Sequence, residues 1–85
     1  MPFYTIVAEQ DLSVKIYTNK ECLCKAIEFL VERDDLCLIG PHHYVPAYFQ
    51  ILAHIESTDE FRLYDRKDPA NWFYRIETHY EVNKI

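Results

Sequence analysis

Cys37 and the adjacent pair His42-His43 lie close together in the chain, and Cys22-x-Cys24 precedes them. Thiolate and imidazole are the ligands that zinc and softer transition metals take. The spacing does not suit a structural zinc site, whose cysteines come in pairs two to four residues apart in a turn. Cys22 and Cys24 fall inside a helical pattern, which sets them about 200° apart around the axis. They cannot face one ion unless that helix starts later. Cys37, His42 and His43 are carried forward as the metal candidates, but neither a metal nor another cofactor is assigned. The three thiols read as one packed, one partly exposed and one buried in a strand, since a free cysteine behaves as a small hydrophobe.

Acid–base chemistry would need carboxylates converging in a cleft. The acidic doublets Asp34-Asp35 and Asp59-Glu60, and Asp65 with Asp68, fall in predicted turns, where such residues end helices and face solvent. Ser13 and Ser57 are the only serines, and neither stands at a strand-to-helix elbow. With a single glycine, Gly40, the chain has no glycine-rich phosphate loop. These features lean away from an enzyme. The alternative is a small enzyme or metal-binding protein working through the His42-His43 loop.

Recognition chemistry is better represented. The stretch from Gly40 to Pro46 holds the only glycine, two of four prolines and two of four histidines, with Tyr44 between them. A proline-stiffened loop carrying aromatic and histidine side chains loses little entropy on docking. Further on, Tyr64 and Phe73 alternate with Arg62 and Arg75, the residue types that dominate interface hot spots. The expected binding surface is therefore His42, His43, Tyr44, Arg62, Tyr64, Phe73 and Arg75. The expected partner is a protein, with a homodimer as the companion expectation, because a domain this small gains stability by association.

These residues need elements to hold them. Phe3 to Ala8 is aromatic and β-branched. After a polar break, Ser13 to Thr18 alternates, with Val14 and Ile16 on one side and Ser13, Lys15 and Tyr17 on the other. Two such runs predict an antiparallel hairpin. Tyr17, Tyr64 and Phe73 fall on faces assigned to solvent or to a second layer. Asn19 is placed to cap a helix in which Leu23, Ala26, Ile27, Leu30 and Val31 recur at helical spacing, ending at Arg33-Asp34-Asp35. Leu36 to Ile39 is a short apolar run that suits a strand buried on both faces.

Residues 47 to 56 fit two periods. A helix puts Tyr48, Ile51, Leu52 and Ile55 on one face, and Ala47 and Ala53 favour it. A strand would alternate Phe49, Ile51, Ala53 and Ile55, but Leu52 breaks that pattern. The helix is preferred. Phe61 to Arg66 alternates as a strand, with a turn at 67–71. Trp72 to Val82 places Trp72, Tyr74, Ile76, Thr78, Tyr80 and Val82 on one face, against Phe73, Arg75, Glu77, His79 and Glu81. The order β-β-α-β-α-β-β, with the fifth element open to a strand, predicts an α+β two-layer sandwich. It has a mostly antiparallel sheet with helices on one face.

Composition bounds the rest. Eighty-five residues suit one domain spanning 1–85. The formal charge of −5 is spread along the chain, which disfavours a nucleic-acid backbone as partner. No apolar stretch approaches a membrane span. An odd cysteine count and an N-terminus without a signal-peptide pattern predict a soluble cytoplasmic protein with reduced thiols.

Overall fold

The computed structural model describes residues 2–38, 46–68 and 70–80. The elements follow the predicted order: β1 (Pro2–Ala8), β2 (Val14–Tyr17), α1 (Lys20–Asp34), β3 (Leu36–Cys37), α2 (Tyr48–Ser57), β4 (Glu60–Asp65) and β5 (Trp72–Tyr80). All five strands form one sheet in the order β2-β1-β5-β4-β3, antiparallel at every junction. The protein is an α+β fold with two helices on one face of the sheet.

Helix α1 starts where the cap predicts. Asn19 holds an extended backbone, and its Oδ1 accepts a hydrogen bond from the Cys22 amide at 3.0 Å. The helix ends on Asp35 in the left-handed region, φ 55°. Asp35 then takes Arg66 at the end of β4 in a two-pronged bond, Nε to Oδ1 at 2.7 Å and Nη2 to Oδ2 at 3.1 Å. That pair fastens the turn between α1 and β3 to the far edge of the sheet.

The segment that fits two periods, residues 47 to 56, is a helix. Burying Ile51 and Ile55 with Tyr48 and Leu52 alongside needs a 3.6-residue period, and only the helix supplies it. The core joins Leu23, Ile27 and Val31 of α1 to Ile51 and Ile55 of α2, over Tyr4, Ile6, Leu63 and Ile76 of the sheet. The strand expected over Leu36 to Ile39 pairs only at Leu36 and Cys37. It lies at the sheet edge, yet Leu36, Cys37 and Leu38 are all buried. Ile39, and the expected continuation of β5 through Glu81 and Val82, lie outside the described residues.

Two side-chain directions differ from strict alternation or from simple patterning. Strand β2 turns Lys15 and Tyr17 toward the helices, where Tyr17 packs against the core. Its aliphatic pair, Val14 and Ile16, points the other way and stays exposed. Cross-strand pairing decides this: Tyr17 stands opposite the buried Tyr4, so it must share Tyr4's face. The second difference is at Trp72. Leu63 pairs with Tyr74, but Tyr64 pairs with Trp72, so β5 carries one extra residue at this point. Such a bulge re-aims a side chain. Trp72, expected beside Tyr74 and Ile76, lies instead on the face of Arg62 and Arg75.

Candidate functional site

The helices cover one face of the sheet and leave the other open. The open face can be read row by row. Val14, Val7, Arg75 and Arg62 stand side by side across β2, β1, β5 and β4. The next row is Ile16, Thr5, Glu77 and Glu60, and beyond it Phe3 faces His79. Toward the other end of β4 and β5, Tyr64 meets Trp72 across the bulge.

Polar contacts run diagonally through these rows. The Arg62 guanidinium lies 5.2 Å from the centre of the Trp72 ring, and that of Arg75 lies 6.0 Å from it. Arg62 also reaches Glu60 at 3.8 Å. Arg75 Nε stands 3.1 Å from Glu77 Oε2, an ion pair whose angle does not make a hydrogen bond. The Nε atoms of both arginines are buried against the ring without a hydrogen-bond acceptor. Glu77 Oε1 accepts from the Thr5 hydroxyl at 3.4 Å, and Thr5 Oγ1 sits 2.9 Å from His79 Nε2. With that hydroxyl donating to Glu77, the His79 Nε2–H is the donor to Thr5. The His79 ring stacks on Phe3, centroids 4.8 Å apart and 14° from parallel.

Threonine, histidine and glutamate in contact are worth testing as a nucleophile, base and orienting acid. A relay needs the acid and the nucleophile on opposite nitrogens of the imidazole. Here Glu77 Oε1 lies 3.7 Å from His79 Nε2, the same nitrogen that meets Thr5. Thr5 is also buried. The geometry makes a bonded surface network rather than a catalytic relay.

Around this network the open face is apolar. Val14 is 53% exposed and Ile16 67%. Arg62, Arg75, Glu60 and Glu77 balance one another, so the face is close to neutral on a chain of charge −5.

The sequence-predicted residues divide cleanly. Arg62, Arg75 and Tyr64 come together on this face, while Phe73, 40% exposed, is the extra residue of the bulge and borders the groove on the helix side. His42, His43 and Tyr44 lie outside the described residues. Trp72, Val14, Ile16, Phe3 and His79 belong to the same surface and were not in the expected set. The alternation of β5 contained His79 beside Arg75. Nothing local in the sequence marks the bulge that adds Trp72.

The thiols occupy three environments. Cys22 is exposed, while Cys24 and Cys37 are buried. Burial pushes the Cys24 thiol up to about 11, and its Sγ donates to the Tyr48 carbonyl at 3.2 Å. Burial also raises the Cys37 thiol. Among the described residues no three His, Cys, Asp or Glu side chains gather as a metal cluster.

On the helix side a groove of about 850 Å³ separates α1 from the β1–β2 hairpin. Lys15, Tyr17, Ala26, Leu30, Arg33 and Tyr74 line it. Within it Arg33 Nη2 donates to Tyr74 Oη at 2.9 Å, and Arg33 also holds Asp34 through two bonds. No helix among the described residues is long and apolar enough to cross a membrane. Comparison with family models, with curated proteins and with solved structures finds no match to this chain.

Proposed function

We propose that this chain is a non-enzymatic interaction module that docks a protein partner on the open face of its sheet and works as a homodimer. One observation carries the reading. Exposed Val14 and Ile16 share a sheet face with a tryptophan ring that two arginines lie over, with exposed Phe73 next to it in the chain, and the helices leave that face uncovered. Aromatic and arginine side chains in an apolar setting supply most of the energy at protein interfaces. The ring and the ion pairs hold both arginines in place before binding, so little side-chain entropy is left to lose. A close-to-neutral face also spares a partner the repulsion of the acidic remainder. The odd cysteine count supports a reducing, cytoplasmic setting for this role.

A photo-crosslinking amino acid at Phe73 tests the reading, with Phe49 on the exposed side of α2 as the control position. A discrete crosslinked protein at position 73, weakened at least tenfold by Arg62→Glu, is the expected result. Equal capture at position 49, or none at 73, would remove the open face from consideration.

A further inference from the structure

A guanidinium presents several N–H donors in a rigid fork, and a carboxylate is its geometric complement. On the open face two such forks lie over one ring from directly paired positions, Arg62 on β4 and Arg75 on β5. Arg62 stands 3.8 Å from Glu60 and Arg75 stands 3.1 Å from Glu77, yet neither arginine makes a side-chain hydrogen bond among the described residues. Glu77 takes the Thr5 hydroxyl on its other oxygen. The Tyr64 hydroxyl and the Trp72 indole N–H, next along the same face, have no hydrogen-bond partner among the described residues either. The charge of the arginines is balanced, while their donors lack acceptors. Such donors are satisfied by water only as long as the face stays open.

We infer that the docking face takes an acidic side chain of the partner protein, an Asp or Glu carboxylate held between Arg62 and Arg75. This rests on the proposed function and names what a partner must bring to that face. An apolar group laid over the two forks would leave charged donors dry and unpaired, which is strongly destabilising. A carboxylate supplies acceptors to both forks. It also places a negative charge between two directly opposed positive ones, which otherwise repel.

Glu60 and Glu77 stand two residues further along the strands, on the side away from Trp72, so the acid enters from the side of the ring. A phosphate matches the forks as well, but carries about −1.5 to −2 charges. Beside two glutamates, and on a chain of charge −5, the singly charged carboxylate meets less repulsion. Val7 and Val14 continue the row from Arg75 to the edge of the sheet. An aliphatic residue next to the acid therefore completes the contact.

Trp72 is the only tryptophan, so the fluorescence of the full chain reports directly on this site. The probe is the capped tripeptide acetyl-Leu-Asp-Leu-amide, with the Asn peptide of the same sequence as its control. A saturable change in emission is expected, with the Asp peptide binding about tenfold more tightly than the Asn peptide. Arg62→Gln and Arg75→Gln should each weaken the Asp peptide by about tenfold, with an unchanged circular dichroism spectrum. Arg62→Lys keeps the charge but not the fork, and should weaken it as well. Equal affinity for the two peptides, an affinity that neither Gln variant moves, or no saturable change with the Asp peptide overturns the inference. Inorganic phosphate that binds more tightly than the Asp peptide also overturns it, in favour of a phosphorylated partner. A Phe73 crosslink that forms while the Asp peptide fails removes only the acid and leaves the docking face standing. Loss of the crosslink alone counts against the docking face.

Discussion

Arg62 and Arg75 stand directly opposite each other across β4 and β5, and both guanidinium groups lie over the single ring of Trp72. Like charges at directly paired positions of a ladder repel. Here the aromatic face between them offsets that repulsion. Glu60 and Glu77 take up the remaining charge at the outer side of each arginine. The bulge opposite Tyr64 makes this possible, because it turns Trp72 to the arginine face.

Trp72→Leu should therefore lower stability by about 1–2 kcal/mol, the loss of two cation–ring contacts of about 0.5–1 kcal/mol each. In an Arg62→Ala background the same substitution should cost less, because one contact and the arginine–arginine repulsion are already gone. Urea unfolding of the four proteins of this cycle measures the coupling. Strictly additive losses would show that the ring and the arginines act independently.

The Asp35–Arg66 pair makes stability depend on acid. Hydrogen bonds from Arg66 hold the Asp35 carboxyl below the usual carboxylate range, against a smaller opposing push from burial. A group whose folded pKa is depressed stabilises the fold above its unfolded value, near 3.9, and that contribution is lost as pH falls through the folded value. Melting temperature should thus decline as pH drops below about 4. Asp35→Asn tolerates the left-handed backbone but drops the charge. It should melt lower at neutral pH and show a shallower decline in acid. Because the pair is partly exposed, added salt should shrink the difference.

Leu12 occupies a left-handed conformation, φ 57°, at the end of the β1–β2 turn. A leucine there carries a steric cost of about 1–2 kcal/mol that asparagine or glycine largely avoids. Leu12→Asn should raise the stability of the isolated chain by roughly 1 kcal/mol. Its side chain is exposed, so the substitution removes little packing. Urea unfolding of the two proteins measures the gain.

Thiol reactivity should sort by burial. Cys22 should react with an aromatic disulfide reagent at once under native conditions. Cys24, pushed up to about 11 by burial, and Cys37, raised for the same reason, should react only as fast as the core opens. One rapid equivalent per chain in buffer and three in urea is the expected count for the three cysteines. Three rapid equivalents in buffer would contradict the packing of α1 against α2.

What the sequence determined by itself was local. Asn19 begins α1 because its side chain reaches an amide three residues on, and the stripe from Leu23 to Val31 defines the buried side of that helix. Leu52 and its alanine neighbours made residues 48–57 a helix, since a strand would have turned Leu52 out of line. The order of elements and the α+β class followed from such short-range patterns. That Arg62 and Tyr64 share a face with Arg75 was legible in the alternation of two strands joined by a short turn.

Which face the helices cover was a tertiary decision. Strand β2 has apolar groups on both sides, Val14 and Ile16 on one and Tyr17 on the other, and only its pairing with Tyr4 turned Tyr17 inward. The same pairing left the aliphatic pair exposed at an edge of the sheet. Trp72 is the sharper case. A bulge is a mismatch between two strands, and the alternation of β5 taken alone carries no trace of it. The centre of the open face was therefore set by how β4 meets β5.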